Sequence, residues 1–336
     1  MSKIIIPEAY SPVIDVMESQ RAIKKIKDFF QQELAYNLQL RRVSAPRFVD
    51  PDKGLNDNLN GVERPVSFDI LDMPGRSAEV VQSLAKWKRM ALGKYGIEPG
   101  RGIYTDMDAI RRDEELDNLH SIYVDQWDWE KVIRKEDRTE EYLRDTVRLV
   151  YNSLKNLGDF VNRSYRELKT ELPNEIYFIT SQELEDRYPN LDPKAREDEI
   201  TKEHRAVFIM KIGGLLKSGT RHDGRAPDYD DWELNGDIIL WSDILQRAFE
   251  ISSMGIRVDE EAMARQLKLA GAEDRSRLWF HQAILNRELP YSIGGGIGQS
   301  RLCMYFLRKA HIGEVHVSLW PEDMVKTCTE NNIFLL

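Results

Sequence analysis

Cysteine is scarce: Cys303 and Cys328 are the only two in 336 residues, and neither sits in a CxxC or in a Cys/His array of zinc-site spacing. A disulfide scaffold and a structural zinc are thereby excluded, and a reducing compartment is expected. Basic charge is short as well. Forty-eight Lys and Arg stand against 57 Asp and Glu, a formal net charge of −9, which argues against a broadly basic surface for nucleic acid. Long apolar runs are also missing. The opening MSKIIIPEAYSP has only Ile4 to Ile6 before Pro7, too short for the apolar core of a secretory signal, and no segment approaches the roughly 18 apolar residues of a membrane span. A cytoplasmic protein without membrane contact is expected. With no internal repeat, low-complexity tract or evident linker, the chain reads as one domain over 1–336.

What is present is apolar content, 41% against 31% charged residues, ample for a globular core. Ser11-Pro12 reads as a helix start. Val13, Ile14, Val16, Met17, Ile23, Ile26, Phe29, Phe30 and Leu34 then recur at roughly helical spacing, predicting a long amphipathic helix to about Tyr36. The next stretch, LQLRRVSAPRFV, looks extended, with Pro46 at an edge or distortion because it lacks a ladder donor. Asp52 to Asn60 is a loop by its Asp, Asn and Gly content. Strands are expected at 66–70, 102–107, 121–128, 176–180, 206–212, 237–241, 248–258 and 314–319, and helices at 86–92, 139–168, 192–204, 259–270, 276–288 and 299–309. Strands follow one another without regular βαβ alternation, so the expected class is α+β around a largely antiparallel sheet.

Several segments carry candidate chemistry. In SIGGGIGQSR (292–301), Gly294, Gly295, Gly296 and Gly298 let backbone approach a flat or anionic ligand, and a following helix brings Arg301 to the same place. The plain alternative is a tight strand-to-helix turn. No GxxxxGK[ST] occurs, and no βαβ unit follows the glycines, so neither a Walker site nor a dinucleotide fold is supported. Asp237 and Glu250 fall on neighbouring strand-like segments, NGDIILW and AFEISSMGIRV. Together they suit Mg2+, which takes oxygen ligands and keeps waters and substrate phosphates; ordinary exposed carboxylates are the alternative. In SIYVDQWDW (121–129), Gln126 and Asp128 share one strand face and Trp127 and Trp129 the other. Polar groups then line a pocket backed by indoles, or the strand faces water. Arg111 in IRRDE, and Ser83 with Lys88 in QSLAKWK, offer a guanidinium fork and a mobile charge for phosphate or carboxylate, or are surface charge. Residues 221–232 crowd charges into one loop, where His222 alone carries no catalytic reading.

NDNLNGVE (56–63), SLAKWKR (83–89), LHSIYVDQWDWE (119–130), RAPDYDDW (225–232), LNGDI (234–238), FEISSMGIRVD (249–259) and IGGGIGQSRL (293–302), in this order, resemble the ammonia-dependent, AMP-forming asparagine synthetases, the A-type aspartate–ammonia ligases. The likeness covers nearly the whole chain. That family is similar to the catalytic core of class II aminoacyl-tRNA synthetases, above all those for aspartate and asparagine. The resemblance implies an antiparallel sheet flanked by helices. In it the N-terminal helix and the strand ending at Pro46 act as a motif 1-like dimer element, Arg111 with Asp113-Glu114 as motif 2, and GGGIGQSR as motif 3 ending in Arg301. The sequence departs from the family at Gln82, where better-known members have His, and at Arg112, where they have Pro. It is also shorter than some between Trp232 and Leu234.

The implied reaction activates L-aspartate first, because a carboxylate repels a nucleophile and oxide leaves poorly. Attack of the β-carboxylate on the α-phosphorus of ATP gives β-aspartyl-AMP and pyrophosphate, and ammonia then displaces AMP to give asparagine. By the same resemblance, Arg111 serves the α-phosphate; Arg301, Gly296, Ser121 and Asp230 surround the nucleotide; and Asp237 and Glu250 hold Mg2+. Lys88, Ser83 and Gln126 fix the aspartate with Gly294 and Gly295, Asp128 faces its ammonium group, and Ser252 and Ser253 complete that wall. Asp57 attracts ammonium beside the β-carboxylate and assists its deprotonation. A homodimer is implied and nucleic acid is not. Two other readings compete. An aspartyl- or asparaginyl-tRNA synthetase relative is disfavoured by the acidic charge and by the lack of room for an anticodon module before the first helix. A noncatalytic nucleotide-binding paralogue is disfavoured by the joint presence of Lys88, Arg111, Asp237, Glu250 and Arg301. Glutamine use is not expected, since no amidotransferase segment or N-terminal catalytic Cys is present.

Overall fold

The computed structural model describes residues 4–57, 59 and 63–336; Asn58 and Asn60 to Val62, within the expected loop and the NDNLNGVE motif, lie outside the described residues. Helix α1 (Val16–Leu38) begins later than Ser11-Pro12 suggests, because the Asp15 carboxylate accepts the Glu18 N–H at 2.8 Å and fixes the N-terminus there. Its buried stripe, Ala22, Ile26, Phe30, Leu34 and Leu38, lies on one face. Gln39, in the left-handed region at φ 61°, ends the helix and turns the chain into β1 (Leu40–Arg42). There follow β2 (Phe48–Val49), β3 (Ser67–Asp69), β4 (Ser77–Val80), α2 (Ala85–Lys94), β5 (Gly102–Ile110), β6 (Tyr123–Val132) and α3 (Glu140–Ser164). Next come β7 (Tyr177–Thr180), α4 (Ser181–Arg187), α5 (Pro193–His204), β8 (Ala206–Met210), β9 (Asp230–Ser242) and β10 (Arg247–Arg257). The last part holds α6 (Glu260–Leu269), α7 (Trp279–Leu285), β11 (Ser292–Gly298), α8 (Gln299–Phe306) and α9 (Glu322–Glu330).

Eight strands form one sheet in the order β1-β5-β6-β11-β10-β9-β8-β7, antiparallel except for the edge pairs β1/β5 and β7/β8. A small antiparallel sheet, β2-β4-β3, stands apart. This is the α+β, largely antiparallel architecture expected. On one face of the large sheet α1 packs with α3, Phe29 stacking on Phe160 at 4.4 Å, and the fully buried Trp127 meets Phe30 at 5.0 Å. Burial of such large side chains supplies about 1.5–3 kcal/mol each. The other face receives α2, α6 and α7 over Ile103, Met107, Trp87, Met263 and Phe280. The alternation in SIYVDQWDW works as read: Trp127 and Trp129 face the α1/α3 core, and Gln126 and Asp128 face the opposite side. No helix among the described residues is long and apolar enough to cross a membrane.

Two segments differ from expectation. The strand expected at 314–319 is a short 3-10 turn, Ile312–Glu314, followed by irregular chain. Its apolar alternation has no partner strand among the described residues, and Val317 and Leu319 are exposed. The glycine segment is no turn. It is β11, paired with β6 on one side and β10 on the other near the middle of the sheet.

Candidate active site

Glycine weakens a strand unless something must come close to the backbone, and on β11 something does. A Cβ on Gly295 would lie 2.6 Å from the Met254 Cβ, and one on Gly296 would lie 2.5 Å from the Gln126 Oε1. A Cβ on Gly294 would strike the Glu130 carboxylate. Under these glycines runs a dry network of charges. Arg257 donates through Nε and Nη2 to Glu130 at 3.0 and 2.8 Å and through Nη1 to Asp230, and Ser292 Oγ donates to Glu130 at 2.7 Å. Burial alone would raise the Glu130 carboxyl; the charge and hydrogen bonds of Arg257, with Lys88 nearby, outweigh it and hold it below the usual carboxylate range. Lys88 Nζ donates to Asp128, to Trp129 O at 3.1 Å and to Gly295 O at 3.1 Å. It is a strut that ties α2 to β6 and β11.

Above this floor opens a cavity of about 350 Å³, within the range of small-molecule sites. Most of the residues singled out from sequence meet on its wall. Gln126, Asp128, Gly295, Gly296 and Ser253 come from the central strands, and Glu250 and Arg301 from β10 and α8. Arg301 Nη1 donates to Glu250 O at 3.2 Å and stands 3.7 Å from its carboxylate. Arg111 reaches in after β5, its Nη1 only 3.8 Å from Glu114 and its buried Nε without a partner among the described residues. Ser121, Asp230, Ser83 and Asp57 complete the set. Ser121 donates to Ser318 at 2.8 Å, and Ser83 Oγ accepts the Ala85 N–H at 3.1 Å.

Four of the singled-out residues are not on the wall. Lys88 is sealed beneath it, and Gly294 lies over Glu130. Ser252 faces away, donating to Gly296 O at 3.0 Å, because a bulge between Glu250 and Ser252 leaves Glu250 and Ser253 on the cavity side. Asp237 sits behind Arg225, whose Nη2 donates to its Oδ1 at 2.6 Å. Burial, with Glu250 and Asp223 adding to it, pushes the Asp237 carboxyl up to about 6 in spite of Arg225. No cluster of three or more metal-ligating side chains occurs among the described residues. Two neighbouring hard-oxygen carboxylates are nevertheless the kind of set Mg2+ takes when phosphates and waters fill its other positions.

The rim contributed by 56–57 and 82–86 is built differently. Asn56 Oδ1 accepts the N–H groups of Asp57 at 3.0 Å and Gln82 at 2.9 Å, and its Nδ2 donates to Glu79 and Val80 O, so one side chain stitches the loop to the end of β4. Asp57 is almost fully buried, yet its Oδ2 has no partner among the described residues. Burial, reinforced by Asp228, pushes its carboxyl up to about 6 against the opposing charges of Lys86 and Arg111. Behind it Asp228 takes Lys86 Nζ at 2.9 Å, His281 Nε2 at 2.9 Å and Arg275 at 3.3 Å, and Lys86 also donates to Asn56 O at 3.2 Å. The sequence does not single out Lys86, Asp228, His281, Arg225 or the Arg257–Glu130 pair. A usable signal was the run Lys86-Trp87-Lys88-Arg89, whose polar members leave α2 no obvious solvent face and are all buried.

The sheet order, the two flanking helical layers and the cavity over the central strands define a class II aminoacyl-tRNA synthetase-like fold. An Entamoeba histolytica asparaginyl-tRNA synthetase in complex with asparaginyl-adenylate superposes with TM-score 0.61 at 14% identity, over 90% of this chain and 66% of that one. The Pyrococcus horikoshii asparaginyl-tRNA synthetase with asparaginyl-adenylate gives 0.58 at 15%, over 90% and 70%. The chain thus spans about two thirds of these synthetases' length, and the likeness establishes fold alone. Sequence carries the assignment further. The Aspartate-ammonia ligase family model matches residues 17–332. The aspartate–ammonia ligases of Ruminiclostridium cellulolyticum and Clostridium tetani are 59% identical over 100% of both chains and 60% identical over 99% of this chain and 98% of theirs. The chain belongs to the aspartate–ammonia ligase family.

Proposed function

We propose that the chain joins ammonia to the β-carboxylate of L-aspartate through β-aspartyl-AMP, consuming ATP and releasing AMP, pyrophosphate and asparagine. Ligation of ammonia to aspartate, forming a carbon–nitrogen bond, is the activity of its family; the adenylate route, the nucleotide, the metal and the residue roles are the proposal. The observation that carries it is the gathering, on one cavity wall, of the Arg111 and Arg301 guanidinium groups, Glu250 beside Arg301, a polar strand face and the buried Asp57 carboxylate, whose Oδ2 has no partner among the described residues. Arg111 and Arg301 orient the triphosphate and offset charge as the aspartyl oxygen attacks the α-phosphorus and the bond to pyrophosphate breaks. Gly295 and Gly296 let the ligand lie against the strand; Ser121 and Asp230 border the nucleotide. Ser83, Gln126, Asp128 and Ser253 hold the aspartate, with Lys88 fixing Asp128 from below and Ser252 and Gly294 shaping the strands.

Glu250, with Asp237 behind it, would hold Mg2+, which when bound neutralises phosphate charge. Asp57 takes one proton from ammonium; the nitrogen lone pair forms the bond to the acyl carbon, AMP leaves with the electrons of the broken carbon–oxygen bond, and the nitrogen's second proton departs afterwards. A homodimer through the α1/β1 region belongs to the same proposal. The test is incubation of the purified chain with ATP, Mg2+ and aspartate, with and without ammonium or tRNA. Asparagine and AMP that require ammonium support the reading. Charged tRNA, or nucleotide binding without turnover, contradicts it.

A further inference from the structure

Gln82 is fully buried and lines the cavity, and neither its Oε1 nor its Nε2 has a partner among the described residues. An amide left in that state costs about 1–3 kcal/mol, so a native partner is expected to arrive with a ligand. Its backbone N–H is held by the same Asn56 oxygen that holds the Asp57 N–H, so two residues with buried, incompletely paired side chains meet at one acceptor and both line the cavity. Lys86, whose charge acts on Asp57, is already engaged by Asp228 and Asn56 O.

Resting on the reading of Asp57 given above, we propose that the Gln82 carboxamide and Asp57 together form the ammonia subsite. Gln82 Oε1 accepts an N–H of ammonium or ammonia while its Nε2 donates to the aspartyl oxygen next to the acyl carbon. The pairing follows from chemistry. Ammonium has only donors, so it needs acceptors, and the recess offers two, Asp57 Oδ2 and Gln82 Oε1. The aspartyl group presents acceptors, so it needs a donor, and the other half of the same amide supplies it. The carboxamide thereby bridges the two reactants and aims the nitrogen lone pair.

The test uses the full chain with Mg2+, ATP and aspartate, titrating ammonium chloride, for Gln82→Met and Asp57→Asn in parallel, with pyrophosphate exchange into ATP and thermal unfolding as further readouts. Gln82→Met is expected to raise the KM for ammonium about tenfold, the factor for one lost hydrogen bond. The KM for ATP, and the exchange rate at saturating aspartate, should stay within about twofold, while the KM for aspartate rises together with that for ammonium because the Nε2 donor is lost as well. The melting temperature should not fall, because an orphaned amide has been replaced by an apolar group of similar length. That pattern supports the subsite even if Asp57→Asn leaves the ammonium KM unchanged, a result that would remove Asp57 alone. A raised KM for aspartate or ATP with an unchanged one for ammonium overturns the subsite and leaves Asp57 standing. A lowered melting temperature with equal loss of exchange and synthesis assigns Gln82 a structural role and also overturns it.

Discussion

The floor and the rim of the cavity handle buried charge in opposite ways. On the floor, Glu130 accepts three hydrogen bonds from Arg257 and one from Ser292, with Lys88 at 3.9 Å, so the charges are matched. On the rim, Asp57 and Gln82 keep buried polar atoms without partners among the described residues, and Asp57 is pushed up to about 6. The floor spends its polar groups on the fold, and the rim reserves them for something absent from the folded chain alone. Matched buried charges hold the floor, and the unpaired atoms of Asp57 and Gln82, which line the cavity, are the ones a ligand can engage.

Breaking a floor pair should give the largest effect. Arg257→Met strands Glu130 and Asp230 and should cost about 3–5 kcal/mol in urea unfolding; a cost near zero would erase the contrast. On the rim the sign reverses. The folded-state value of Asp57, about 6, stands above its ordinary 3.8. Its contribution to stability is therefore present below about pH 4 and lost as pH rises through about 6. Asp57→Asn should accordingly stabilise the fold by up to about 3 kcal/mol at pH 7.5, with little change near pH 4, as measured by denaturant midpoints at both values. The smallest change in activity is expected behind the rim, where His281 and Arg275 still hold Asp228 when Lys86 is removed. Lys86→Met removes a cation that opposes the rise in Asp57, so the acid limb of the ammonium-dependent rate should move to higher pH, read from a pH profile.

Much of this was legible in the sequence, for identifiable reasons. Period-two alternation placed Gln126 and Asp128 on the cavity face and Trp127 and Trp129 in the core, because β6 is central and both of its faces are covered. Local pattern failed where the deciding contact is remote. The glycines of β11 look like a turn until Met254 and Gln126 are seen pressing on them from neighbouring strands. Val315 to Leu319 alternates like a strand but finds no edge to join. Lys88 looks like a substrate ligand by residue type, yet the turn of α2 directs it onto Asp128 and the Trp129 and Gly295 carbonyls, where it is buried. Ser252 and Ser253 are indistinguishable until the bulge turns one of them away. Gln82 stood out as a departure from the resembling family, but its unpaired amide became visible only once Asn56 had fixed its backbone.

The central claim is that one cavity separates its labour, with the guanidinium wall serving adenylation and the Asp57 rim serving amination. Aspartate-dependent pyrophosphate exchange and asparagine synthesis, measured side by side on Asp57→Asn, test it most directly. The account predicts exchange within about threefold of the parent and synthesis lower by about a hundredfold, the scale of a lost general base. Equal loss of both activities would contradict it.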